Sequence, residues 1–183
     1  MTATSDVTGF ALFDTAIGYC AIAWTEAGIS DVRLPEESVQ HTRQALVQRY
    51  GQAAEAEPPA EVETVIAGIV ALLAGQPVDL TEVLLDPAGV PEFNRRVYQV
   101  TQSIRPGSTL CYGDIAVRIG VPGSARAVGR ALGENPYPIL VPCHRVLAAD
   151  GSMHGFSAPG GIATKRRMLQ IEGALAADEP TLF

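Results

Sequence analysis

The chain has 183 residues, 47% of them apolar and 18% charged, with a formal net charge of −7. That balance belongs to a globular chain with room for one domain or two small ones. No apolar run reaches the length that spans a bilayer, and MTATSDVTGF lacks the basic-then-apolar order of a secretory leader.

In chain order, FALFDTAIG, YCAIAWTEAG and ISDVRL are short strand-like runs punctuated by Gly18 and Gly28, which predicts a β-meander. EESVQHTRQALVQRYG has helical periodicity, with Val39, Ala45, Leu46 and Tyr50 on the inner face. After the acidic, proline-bearing AEAEPPAE, VETVIAGIVALLAG is a second apolar helix ending at Gly75, and LTEVLLD is a further short strand. DPAGVPEF is a turn-rich break, so the domains are expected to be 1–89 and 90–183.

Beyond the break the pattern turns helical. PEFNRRVYQVTQSI places Pro91 at a first helical position and buries Phe93, Val97, Val100 and Ile104. YGDIAVRIG, the turn VPGS and SARAVGRALGEN then read as a helix-turn-helix. At 100° per residue, Ala125, Gly129 and Gly133 form a bare strip flanked by Arg126 and Arg130, while Val128, Ala131 and Leu132 lie roughly opposite the arginines. Such a face suits a DNA groove; a helix packed tightly on a neighbour with solvated arginines produces the same pattern.

Charge is divided along the same line. Residues 1–90 carry 3 Lys/Arg against 13 Asp/Glu, a charge of −10, residues 91–173 carry 10 against 5, a charge of +5, and the tail 174–183 adds −2. A basic working domain attached to an acidic one is the implied arrangement. Cys20, Cys111 and Cys143 are odd in number and lack CxxC spacing, which argues against disulfides or a zinc site and for a reducing, cytoplasmic address.

Within NPYPILVPCHRVLAADG, Cys143 stands beside His144. A free thiol titrates near 8.5, and a lone cysteine in apolar surroundings is ordinarily inert packing. Here Pro138 and Pro142 exclude a regular central strand. His144, Arg145 and KRRMLQIEG bring acid–base and cationic groups nearby, the setting that activates a thiol. Adjacent side chains diverge, so a water bridging Cys143 and His144 is expected rather than direct contact, with Glu172 holding the imidazole as in a catalytic triad.

PCHRV, preceded by RAVGRALGENPYPI and followed by a glycine loop and KRRMLQIEG, resembles the O6-alkylguanine-DNA alkyltransferase family, strongly over residues 91–173 and more weakly over residues 8–85. The resemblance implies an α+β fold. A small N-terminal antiparallel sheet with helices precedes a mainly helical C-terminal domain with a winged-helix-like helix-turn-helix. It also implies direct-reversal DNA repair. Cys143 accepts the alkyl group of O6-alkylguanine, or O4-alkylthymine, irreversibly and once per molecule, with His144, a water and Glu172 as its proton relay. Arg126 fills the space of the flipped-out nucleotide, and Tyr112 crowds the target phosphate and assists proton transfer to the leaving base. Ala125, Ala127, Gly129 and Arg130 complete the DNA-facing helix, and Asn135 braces the turn that follows it. Leu132, Pro138, Val146, Phe156 and Ser157 line the base pocket. The implied partner is double-stranded DNA carrying the lesion, bound by a monomer, cooperatively or not; no membrane, cofactor or metal is expected, since the N-terminal half offers only Cys20 and His41.

The sequence departs from the family pattern where Cys111 replaces a serine before Tyr112-Gly113, where Phe156 replaces a tyrosine, in the longer FSAPGGI loop, and in FNRRVY, which lacks the usual Gln and Trp. Cys111 is read as an inert small-residue substitution. Two other readings compete. One is a non-catalytic lesion sensor, whose members carry tryptophan at the position of Cys143. The other is a Cys–His hydrolase, which requires direct sulfur–base contact and an oxyanion hole. The acidic half is read as structural.

Overall fold

The computed structural model describes residues 6–51 and 53–176; the start of MTATSDVTGF and the end of the acidic tail lie outside the described residues. Strands β1 (Gly9–Thr15), β2 (Gly18–Thr25) and β3 (Gly28–Arg33) form an antiparallel sheet in that order. Both hairpins use the same local device. The hydroxyls of Thr15 and Thr25 accept the amides of Ile17 and Ala27 and donate to the carbonyls of Gly18 and Gly28. Gly28 sits at φ 141°, and a Cβ there would lie 2.6 Å from the Leu84 carbonyl oxygen, so no other residue fits.

Strand alternation gives the sheet two apolar faces. Phe10, Ala21 and Ala23 pack with Leu46 of helix α1 (Val39–Tyr50). Ala11, Phe13, Cys20, Ile22 and Trp24 face the main core, which includes Val62, Ile69, Leu72 and Leu73 of α2 (Ala60–Leu73). Ser38 caps α1 by accepting the His41 amide at 3.2 Å. On the inner face of α1, Leu46 and Thr42 are fully buried, while Val39, Ala45 and Tyr50 are partly so.

Two expected elements differ. LTEVLLD contributes only a bridge from Leu85 to Ile29, flanked by Ile29 N–H to Leu84 O at 3.0 Å and Asp86 N–H to Ile29 O at 2.8 Å. Pro87 follows at once and cannot donate to a ladder, so the pairing ends there. Pro91 is the N-cap of α3 (Glu92–Gln102), with extended ψ of 148°, rather than its first helical residue. Within and just after α3, Val97 and Ile104 are buried, and Phe93 and Val100 pack against the core from a half-buried position.

Helices α4 (Tyr112–Arg118) and α5 (Ala125–Gly133) pack on each other across a turn and both contact α3. Beside them lies a two-residue parallel strand pair, β4 (Leu110–Cys111) with β5 (Val146–Leu147), and α6 (Gly161–Ile171) follows. One apolar core runs from Ala11 to Met168, so the sheet and the helical region share their interior.

Candidate active site

The bend expected at VPCHRV is a single 3-10 turn, Cys143–Arg145, entered from Pro142. Upstream, Ile139 is buried at φ 75°, a strained position for a β-branched residue. Asn135 holds this segment from two sides. Its amide donates to the Val141 carbonyl at 2.9 Å, and its side-chain oxygen accepts the Tyr137 N–H at 2.9 Å. The Cys143 N–H converges on the same Val141 carbonyl at 2.7 Å.

Behind the cysteine, His144 Nε2 lies 2.8 Å from Glu172 Oε1, with both side chains almost wholly buried. His144 Nδ1 is buried and has no hydrogen-bond partner among the described residues. No direct hydrogen bond joins it to the Cys143 sulfur, consistent with the divergence of neighbouring side chains. Arg145 supplies what residue spacing did not reveal. It grips Glu172 bidentately, Nε to Oε2 at 2.8 Å and Nη2 to Oε1 at 2.7 Å, and donates Nη1 to the Ile104 carbonyl at 2.5 Å. Burial pushes the Glu172 carboxyl up, but the hydrogen bonds from Arg145 and His144 outweigh it and hold it at about 2. Burial lowers His144 below its ordinary value against the opposing pull of Glu172, so the resting imidazole is neutral. The Cys143 thiol is raised by burial, while the Asn135 amide and the Lys165 ammonium favour its thiolate.

Lys165 is a second group missed as an individual residue. It is 1% exposed, donates Nζ to the Val146 carbonyl at 2.6 Å, and lies 6.0 Å from the ring centroids of both Tyr112 and Phe156. The spacing Lys165, Met168, Leu169, Glu172 is one helical face, and that periodicity was the available signal. Arg145 carried no comparable signal, because its contacts lie 27 and 41 residues away.

Cys143 opens onto a cavity of about 620 Å³ whose walls include Tyr112, Leu132, Asn135, Pro138, Phe156 and Ser157. Val146 is not among them. It is fully buried in β5, paired with Leu110, so its side chain stands behind the wall. Ser157 ties the glycine loop to the end of α5 through the Gly133 carbonyl at 3.1 Å, and Tyr112 OH reaches the His154 carbonyl at 3.3 Å. The opposite wall is Asp31, Val32, Arg33, Leu34, Glu36 and Arg49, from the half read as merely structural.

Along α5, Val128, Ala131 and Leu132 are buried while Arg126 and Arg130 are exposed, with Ala125, Ala127 and Gly129 half-buried between. Arg126 makes no hydrogen bond or ion pair among the described residues. Cys111 is the N-cap of α4. Its sulfur accepts the Asp114 N–H at 3.4 Å while Asp114 accepts the Cys111 N–H at 2.9 Å. Among the described residues no group of three His, Cys, Asp or Glu side chains is arranged to hold a metal ion, and no helix is long and apolar enough to cross a membrane.

Residues 92–174 match the family described as 6-O-methylguanine DNA methyltransferase, DNA binding domain. A methylated-DNA–protein-cysteine methyltransferase from Methanothermobacter thermautotrophicus is 36% identical over 152 residues, 83% of this chain and 78% of its own length. The protein of that name from Mycolicibacterium paratuberculosis is 34% identical over 170 residues, covering 93% of this chain and 95% of its own. The crystal structure of Mycobacterium tuberculosis OGT in complex with DNA superposes with a TM-score of 0.71 at 34% identity, over 91% of this chain and 93% of that one. With similarity that spans the sheet, the helix pair and the cysteine turn alike, the chain belongs to the methylated-DNA–protein-cysteine methyltransferase family.

Proposed function

We propose that the protein repairs double-stranded DNA by moving the alkyl group of O6-alkylguanine onto Cys143, once per molecule. The observation that carries this reading is the pairing of a cavity-facing thiol with a buried, neutral imidazole whose far nitrogen is fixed by Glu172. O4-alkylthymine, whose alkyl carbon is bonded to oxygen in the same way, is a second substrate of the same chemistry. The protein acts as a monomer in the cytoplasm. Residues 1–89 frame the site and residues 90–183 bind DNA and carry the acceptor, a division that the start of the family match at residue 92 supports.

In the resting site both Cys143 and His144 are neutral. With substrate bound, a water accepts the thiol proton and passes one to His144 Nδ1. The imidazolium that forms keeps its Nε2–H on Glu172, which stays ionised. Glu172 stabilises that cation and fixes the ring; it does not take the proton. The Cys143 sulfur attacks the alkyl carbon, the carbon–O6 bond breaks with its electron pair going to guanine, and the Tyr112 hydroxyl supplies the proton that neutralises the base. The His144 imidazolium then returns a proton through water, so that Tyr112 and His144 both end neutral. The product is a thioether. Lys165 favours the thiolate as it forms, because a buried cation near sulfur acts in a medium of low dielectric.

Extruding the base costs a few kcal/mol. Arg126, exposed and uncommitted on α5, is positioned to fill the space left behind, with Gly129 allowing close approach and Arg130 reaching a phosphate. Intact-protein mass spectrometry after mixing with a duplex bearing one O6-methylguanine tests the reading. One added methyl, mapped to Cys143 and absent in Cys143→Ala, is the expected result. Tight lesion-selective binding without mass gain would overturn it in favour of a sensor.

A further inference from the structure

The acidic half presents an observation that a structural role leaves unexplained. Asp31 in β3 is 0% exposed, yet it is heavily engaged; burial pushes its carboxyl up, while Arg33, Arg49 and Tyr50 pull the other way. Arg33 Nε lies 3.0 Å from one carboxylate oxygen, Arg49 Nε lies 3.2 Å from the other, and Tyr50 OH donates to that second oxygen at 2.9 Å. Glu36 and Glu134 are the other acidic groups lining the same cavity. Glu134 is engaged by the Asn94 amide at 2.9 Å.

β3 is an edge strand, and the N–H of Val32, next to Asp31, points away from the sheet and donates to the Pro136 carbonyl at 2.8 Å. Pro136 follows Asn135, which holds Val141 O, the oxygen that also receives the Cys143 N–H. A short, continuous run of contacts therefore leads from the Asp31 cluster to the alkyl acceptor: α1 and Arg33 fix Asp31, β3 presents Val32, Val32 holds the Asn135–Pro136 turn, and that turn sets Cys143. We infer that Asp31 is a positioning residue for alkyl transfer, acting through β3 and the Val32–Pro136 hydrogen bond. The Arg33 and Arg49 side chains it anchors also form the cavity wall facing Cys143. This inference rests on the reaction proposed above.

The test uses the full chain and a duplex carrying one O6-methylguanine, comparing wild type with Asp31→Asn, which keeps the shape and replaces one carboxyl oxygen with an amide. Expected is a fall of about 10-fold in the first-order transfer constant at saturating duplex, within the ~100-fold that a misplacement of about an ångström can cost. The Kd for the duplex should stay within about twofold, because the helix that meets DNA is elsewhere, and circular dichroism should show a folded protein at the assay temperature. A folded Asp31→Asn that transfers at the wild-type constant, with only a lower Tm, overturns the inference and leaves Asp31 a purely stabilising residue. If Asp31→Asn does not fold, Arg49→Gln loosens the same cluster while keeping the Arg33 pair, and the same comparison decides. Failure of wild type to transfer at all would instead sink the proposed reaction, so the two failures are distinguishable.

Discussion

Glu172 is where the chemistry and the stability of the site meet. Its two oxygens serve three donors, one from His144 and two from Arg145, and all three side chains are buried. Glu172→Gln keeps the shape but leaves the Arg145 guanidinium without a counter-charge, and breaking a buried pair this way costs about 3–5 kcal/mol. It also removes the charge that stabilises the His144 imidazolium, so transfer should slow by roughly 10²-fold or more, the scale of a lost general base. The pH dependence has a definite sign. Glu172 titrates at about 2 in the folded chain against an ordinary 4.5, so the unfolded chain binds the proton more readily between those values. The stability it confers is fully present above pH 4.5 and is lost as pH falls through 2. Urea unfolding of both proteins should show a wide gap at pH 7 that narrows only below pH 4.5. A constant gap would mean that Glu172 is not held ionised by its partners.

At the scale of elements, α4 and α5 show residues chosen for what they leave out. Gly129 is helical, and a Cβ there would meet the Tyr112 ring at 3.7 Å, an ordinary contact. Gly129→Ala should therefore stabilise the protein by up to about 1 kcal/mol, the usual helix penalty of glycine, while holding the α5 surface away from DNA. Higher Tm with weaker duplex binding is the expected pair of results, and unchanged binding would show that α5 does not approach closely there. Cys111→Ser should strengthen the α4 cap by roughly 0.5–1 kcal/mol, because a hydroxyl accepts the Asp114 amide better than sulfur does; chemical denaturation reads it. These elements were legible because their signals are local: turn residues around the hairpins, 3.6-residue spacing in α5, and the helix-like KRRMLQIEG of α6. What escaped was set at long range. The strength of the Arg145 clamp and the burial of Val146 against Leu110 depend on segments remote in sequence. LTEVLLD has a strand's composition, yet β3 offers it room for only two hydrogen bonds. The cavity's second wall, from Asp31 to Arg49, could not be read from either half alone.

Across the whole molecule, the −7 net charge hides a working half that is basic, with +5 over residues 91–173 against −10 over residues 1–90. The acidic half should repel DNA and the basic half that carries α5 should attract it, so long-range electrostatics should narrow the approach to one face. Two arginines on that face are then expected to behave differently. On the proposed reading Arg130 meets a phosphate and releases counterions, so Arg130→Ala should flatten the slope of log Kobs against log salt by about 0.9. Arg126 is assigned to the stack, where its contribution is replacement of an extruded base rather than neutralisation of a phosphate. Arg126→Ala should leave the slope nearly unchanged, yet reduce transfer from a duplex far more than from a single strand, in which little stacking has to be replaced. If both variants lose slope equally, Arg126 is a phosphate contact, and the base must be held outside the helix by Tyr112 and the glycine loop alone.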